Sequence, residues 1–216
     1  HDALPIWKPE IEKNKYNILL KIIFALVLGV VFYTPYVRGL FFETDVLWAE
    51  IIVFVLFIAF SAIKYVKKEK LIFSTLLDYS ALAFAAVYTI ALASSVFLRD
   101  SVGEWLKYCM YFAVFFMLSD LIRSEKDRIG TLWVMAASGT GVALLGVDSA
   151  AGGKMADVLN GIFRGLGVGH DVFTYLYEGN RLTSTLQYSN ATAGYLLAIF
   201  FILLGLSIIS DKWWQR

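Results

Sequence analysis

Charged side chains are scarce in this chain: Asp, Glu, Lys and Arg make up 17% of its 216 residues, against 59% hydrophobic and 16% aromatic. The mean hydropathy of +0.66 follows from that shortage. Few water-soluble domains could hide so much apolar surface, so any chemistry belongs at a membrane face rather than in a soluble cleft. The single cysteine, Cys109, excludes an internal disulfide and sits in an apolar stretch as a small hydrophobe. A net charge of +1 with no concentrated basic patch argues against nucleic acid as a partner. Neither a Gly-x-Ser-x-Gly elbow nor a phosphate-cradling P-loop occurs.

The first residues, His1-Asp2-Ala3-Leu4-Pro5-Ile6, lack the charged, then apolar, then small-residue order of a signal peptide. They match one reading frame of a sequencing-library adapter (cac gac gct ctt ccg atc). The expected organisation is therefore a non-native leader over 1–6 and a single transmembrane domain over 7–216, the N-terminal part of a longer protein.

What the chain has in quantity is long apolar runs, at 18–34, 47–63, 71–98, 102–122, 129–147 and 190–209. About 20 apolar residues cross the hydrocarbon core as a helix. Inside a bilayer every backbone N–H and C=O needs an internal partner, and the runs lack the alternation of barrel strands. The sequence thus predicts an all-α, polytopic bundle of about six transmembrane helices. The run at 71–98 is too long to cross upright and should tilt, bend or project. In the fifth run, Ala137-Ser-Gly-Thr-Gly141 offers a small-residue face for close helix packing.

Positive charge alternates between the links. One set holds Lys8, Lys13, Lys15, Lys64, Lys67, Lys68, Lys70, Arg123, Lys126, Arg128, Lys212 and Arg216; the other holds only Arg38, Arg99, Lys154, Arg164 and Arg181. The positive-inside rule then predicts a multi-pass cell-membrane protein with both termini cytoplasmic. Trp48 and Trp105 at outer helix ends, and Trp133, Trp213 and Trp214 at inner ones, fit aromatic belts.

Intramembrane charges are functional suspects. Counting along the runs puts Asp78 about 10 Å inside the inner end of the third helix and Lys107 about 8 Å below the outer end of the fourth. That leaves them roughly 12 Å apart along the membrane normal, too far for an ion pair. Glu50 lies at a better depth to meet Lys107. Lys21, Lys64 and Asp120 fall near inner helix ends and should snorkel to the interface.

The longest link, 148–189, lies on the outer side. Within it Met155, Val158, Leu159, Ile162, Phe163 and Leu166 share one helical face, with Lys154, Asp157, Asn160 and Arg164 on the other. This predicts a short amphipathic helix on the outer membrane surface. The adjacent His170-Asp171 pair has no defined geometry for acid–base work, and no second His or Cys gives metal spacing. The acceptor pattern Asn190-Ala191-Thr192 sits at a helix mouth, where a glycan would be obstructed.

The densest polar segment runs from Asn180 to Tyr195, where the loop enters the sixth apolar run. Arg181 offers a planar fork suited to phosphate oxygens. Ser189 or Asn190 is placed to cap the helix N-terminus, whose free N–H groups and dipole favour an anion. These features describe a site for a phosphorylated headgroup; the plainer alternative is a polar cap with Arg181 on lipid phosphate.

This segment resembles the signature of the O-antigen ligase and O-antigen polymerase superfamily. There an Arg, a small Ser/Gly-Thr pair, an aromatic or Pro and an Asn open a helix continuing with Ala and Leu. The matching positions are Arg181, Ser184-Thr185, Tyr188-Ser189-Asn190, Ala193 and Leu196. The resemblance implies a metal-independent, cofactor-free glycosyltransferase acting on undecaprenyl-diphosphate-linked glycans at the outer face of the cytoplasmic membrane. It further implies substrate-binding roles for Arg181, Ser184, Thr185, Tyr188 and Asn190, with Arg164 as a nearby cation. Arg181 would grip the diphosphate and stabilise the leaving group's charge. The implied partners are membrane lipids, the lipid-linked glycan and an acceptor that the motif does not identify. In the family the large outer loop with the catalytic His comes later, so His170 is not assigned that role and no catalytic residue is named. The alternatives from other classes are a non-catalytic transporter or flippase half, and a membrane scaffold without substrate.

Overall fold

The computed structural model describes residues 8–69, 75–167 and 171–209, with side chains from residue 16 onward. The adapter-like leader 1–6, Lys70, His170, Lys212, Trp213, Trp214 and Arg216 lie outside the described residues, as do the side chains of Lys8, Lys13 and Lys15. The architecture is all-α: α1 (Lys8–Tyr33), α2 (Glu43–Val66), α3 (Leu76–Ala91), α4 (Leu98–Leu121), α5 (Glu125–Ala150), α6 (Lys154–Gly165) and α7 (Ser189–Ile209). A two-residue hairpin, β1 (Tyr177–Glu178) with β2 (Arg181–Leu182), precedes α7.

Five segments are long and apolar enough to cross a bilayer: Tyr16–Tyr36, Glu43–Val66, Leu76–Ser94, Glu125–Ala150 and Ser189–Ile209. They present large apolar side chains such as Val55, Ile58, Val87 and Phe201 outward, as a hydrocarbon-facing surface requires. The sixth expected span, α4, is 24 residues long and carries Arg99, Asp100, Glu104, Lys107 and Asp120, and it is not among these five.

The run at 71–98 is not one overlong helix. Leu92–Ser94 tightens to a 3-10 turn, Ser94 Oγ donates back to the Ala91 carbonyl at 3.0 Å, and Ser95 is extended. A serine hydroxyl that bonds its own backbone competes with the helix ladder, so the chain turns here without Pro or Gly. At the other end Thr75 and Asp78 form a capping box: Asp78 N donates to Thr75 Oγ1 at 3.2 Å, and Thr75 N donates to Asp78 Oδ2 at 2.9 Å. Asp78 is thus a helix-start residue one turn in, not a charge deep within a span.

The chain divides into two compact units, one within His1–Gly29 and Leu47–Arg123, the other within Val30–Val46 and Ser124–Arg216. In unit 1, Ala49, Val53, Leu56 and Phe60 on α2, and Met110, Ala113, Met117 and Leu121 on α4, are buried at three- and four-residue spacing. Lys64 continues the α2 stripe. It does not snorkel: its side chain is 3% exposed and its Nζ lies 2.8 Å from Asp120 Oδ1 and 3.0 Å from Glu69 Oε2. Lys67 joins Glu69 at 2.6 Å and donates to Asn17 Oδ1 at 3.2 Å; Arg123 reaches Asp120 at 3.2 Å and Glu69 at 3.4 Å. Bonds from Lys67 and Lys64 hold the Glu69 carboxyl down at about 2. Burial works against the Arg123 charge, but Asp120 and Glu69 outweigh it and raise its pKa. Elsewhere in unit 1, Lys107 pairs with Glu104, one turn earlier, at 2.6 Å, while Glu50 is buried with both charges in electrostatic reach.

Unit 2 is built on α5, whose small-residue face does what its sequence suggests. A side chain at Gly139 would overlap Ile199 of α7, and one at Gly141 would overlap the Tyr36 hydroxyl. Tyr36 Oη donates to the Ser138 carbonyl at 2.9 Å, and Ser138 Oγ donates to the Phe32 carbonyl at 2.7 Å. Lipid chains are as apolar as Leu, so close approach and such hydrogen bonds, not escape from water, hold these helices together.

Candidate functional site

The hairpin follows from its turn residues. Gly179 (φ 57°) and Asn180 (φ 62°) are both left-handed, as a two-residue type I′ turn requires, and this sets Glu178 opposite Arg181. Beyond β2 the chain is held by hydroxyls bonded to carbonyls. The Leu176 carbonyl accepts from Thr183 N at 3.1 Å and Ser184 N at 2.8 Å. Thr183 Oγ1 donates to the Tyr175 carbonyl at 2.6 Å, Thr192 Oγ1 donates to the Thr183 carbonyl, and Ser184 Oγ donates to the Val142 carbonyl of α5 at 2.6 Å. Gly146 makes room for this segment: a Cβ there would stand 2.8 Å from Leu182 Cδ2 and 3.2 Å from Ser184 Cβ.

This anchorage sorts the expected site residues. Arg181 is exposed on the hairpin and makes no ion pair among the described residues. Ser184 is fully buried in the left-handed region (φ 48°), with its hydroxyl committed to α5, so it braces the site from beneath. Thr185 is also buried, but its Oγ1 has no hydrogen-bond partner. Tyr188 is exposed, its ring 5.5 Å from that of Phe41. Helix α7 begins at Ser189, and Thr192 N donates to the Tyr188 carbonyl at 2.8 Å. Tyr188 therefore occupies the capping position, and Asn190 is exposed within the first turn.

Arg164 stands apart from this sequence-continuous group. It lies in the last turn of α6, where its Nε is 3.0 Å from Asp171 Oδ1. The amphipathic helix forms within one residue of its expected bounds, but its faces differ from the sequence reading. Asn160 is buried, its Oδ1 accepting from Val172 N at 3.0 Å and Phe173 N at 2.9 Å, and its Nδ2 donating to the Phe173 carbonyl at 2.9 Å. Ala156 is buried beside it, and Met155, Val158, Ile162 and Leu166 are left exposed. Asp148 Oδ2 accepts from Met155 N at 2.9 Å and Ala156 N at 3.1 Å, fixing the start of α6 to the end of α5. Neither bond set has a periodic signature in sequence.

An exposed guanidinium, a buried hydroxyl with no partner and the positive head of a 21-residue apolar helix together favour an anion. Among the described residues no group of three or more His, Cys, Asp or Glu could hold a metal ion. Comparison with protein-family models, with curated proteins and with solved structures finds no match to this chain.

Proposed function

We propose that the chain belongs to a membrane glycosyltransferase of the O-antigen ligase or polymerase type and supplies part of its donor site, in which Arg181 engages the diphosphate of an undecaprenyl-linked glycan. The observation that carries this reading is an exposed arginine, with no ion pair among the described residues, on a hairpin pinned by five hydroxyl and amide bonds at the head of α7. A guanidinium carried on that pinned backbone can present two parallel N–H donors to phosphate oxygens. As a glycosidic C–O bond to the diphosphate breaks, negative charge grows on the leaving oxygens, and a cation bound to them stabilises it. Positive-inside charge counting puts this head of α7 on the external face and both termini in the cytoplasm. The exposed apolar stripe of α6 then lies along the outer leaflet. A transporter path through the membrane finds less support, because Asp78 is a helix cap and Lys107 is paired with Glu104.

The test is binding of undecaprenyl diphosphate to the chain in phosphatidylcholine nanodiscs, read by native mass spectrometry. Arg181→Ala should weaken it at least about tenfold, the value of a charged hydrogen bond. Equal binding by the variant, or labelling of a cysteine at position 181 only from the cytosolic side, would overturn the reading.

A further inference from the structure

Two buried side-chain oxygens lack a hydrogen-bond partner among the described residues: Thr185 Oγ1 and Asp45 Oδ2. Native structures rarely leave such atoms unsatisfied unless water or a ligand completes them. Both belong to unit 2, and the stretch Arg38–Leu40, which leads to Asp45, touches the turn that bears Thr185. The link between α1 and α2 lies on the turn that bears Thr185: a Cβ at Gly39 would stand 3.4 Å from Leu186 Cγ, and Phe41 meets Tyr188.

The same link holds Arg38, which makes no ion pair among the described residues and rests its guanidinium 4.9 Å from the Phe42 ring. Arg38, Gly39 and Leu40 are successively left-handed, with φ of 49°, 59° and 59°. Glycine adopts that region freely, whereas arginine and leucine do so at a cost. Such strain persists where surrounding packing imposes it, and here it sets a cation beside the signature segment.

We infer that the link from Arg38 to Asp45 forms a second wall of the donor site, with Arg38 binding a phosphate oxygen and the Asp45 carboxylate accepting a hydrogen bond from a sugar hydroxyl. The inference rests on the donor reading above. A lone phosphate satisfies Arg38 but is repelled by Asp45. A glycosyl diphosphate, anionic at one end and rich in hydroxyls at the other, satisfies both. The sugar-bearing lipid diphosphate should therefore bind more tightly than the bare one, and phosphatidylglycerol most weakly.

The experiment compares undecaprenyl-diphospho-N-acetylglucosamine, undecaprenyl diphosphate and phosphatidylglycerol as ligands of the whole chain in phosphatidylcholine nanodiscs. Arg38→Gly relieves backbone strain while removing the cation. It should raise the melting temperature by about 2–4 °C yet weaken both diphosphates about tenfold. Asp45→Asn should weaken only the sugar-bearing ligand, by about fivefold to tenfold, because a charge-assisted bond becomes a neutral one. If both variants bind all three ligands as the parent does while Arg181→Ala loses the diphosphates, the second wall is overturned and the donor reading stands. If the parent chain prefers neither diphosphate over phosphatidylglycerol, the donor reading fails and this inference with it.

Discussion

Unit 1 gathers five of its charges into one network, whereas unit 2 is joined by hydroxyls, carbonyls and missing side chains. In unit 1 the cations Lys64, Lys67 and Arg123 share the carboxylates of Glu69 and Asp120, and each of the five has a partner within 3.4 Å. In unit 2 the joints are Tyr36 to Ser138, Ser138 to Phe32, Ser184 to Val142 and Thr192 to Thr183, all to backbone carbonyls. Neutral joints of this kind consume no charge. The arginines of unit 2 at positions 38 and 181 are therefore left without ion pairs among the described residues, in a region that also holds two buried oxygens without partners. The contrast separates charges that build the protein from charges that await something else.

Removing the central cation should break the comparison most severely. Lys64→Met leaves Asp120 and Glu69 without their buried partner. A broken buried ion pair costs about 3–5 kcal/mol, toward the lower end here because Arg123 and Lys67 remain. Cys109 is the sole cysteine and is half-buried in unit 1, so its rate of thiol labelling in detergent reports that unit directly. The expected result is faster labelling with little change in amide exchange over α5 and α7. Adding Asp120→Leu should recover much of the loss, because an apolar pair of similar volume replaces the ion pair.

In unit 2 the corresponding break is steric. A valine at position 139 would meet the Ile199 side chain inside ordinary contact distance, so α5 and α7 must separate. Overpacking of this kind costs about 1–3 kcal/mol. Amide exchange should accelerate across α5 and α7 while Cys109 labelling stays unchanged. Accelerated Cys109 labelling in this variant would mean that the two units do not respond separately.

Much of this arrangement was legible in the sequence because it rests on local patterns. Run length placed five spans, three- and four-residue periodicity placed α6, and the small residues from Ala137 to Gly141 marked the close contact with α7 and Tyr36. What escaped depends on partners far away in sequence. Asn160 reads as a surface residue until its hydrogen bonds to residues 172 and 173 bury it. Lys64 reads as a snorkelling lysine until Asp120 comes within reach. The end of α3 at Ala91 carries only serines, which favour a break without requiring one. At the candidate site the sequence marked Arg181 and the head of α7. It gave no sign that Ser184 would be spent on Val142 or that the link from Arg38 to Asp45 would lie against the same turn.

The smallest effect is also the one that tests the ionic half of the contrast through pH alone. Glu69 has an ordinary value of 4.5 and is lowered to about 2 by its bonds to Lys67 and Lys64. A carboxyl that ionises more readily in the folded protein stabilises it wherever the unfolded chain would also be ionised. The contribution is therefore complete above pH 4.5 and is lost as the pH falls from there through about 2. Glu69 is 34% exposed, so solvent screens part of it and the loss should be modest. Cys109 labelling followed between pH 6 and pH 3 by a pH-tolerant reagent should show unit 1 loosening in that window, and Glu69→Gln should flatten the response. In unit 2 the exposed Arg164–Asp171 pair is screened more strongly, so amide exchange over α5 and α7, corrected for its intrinsic pH dependence, should change less across the same range. Equal acid sensitivity in the two units would show that the network around Lys64 is not what sets unit 1 apart.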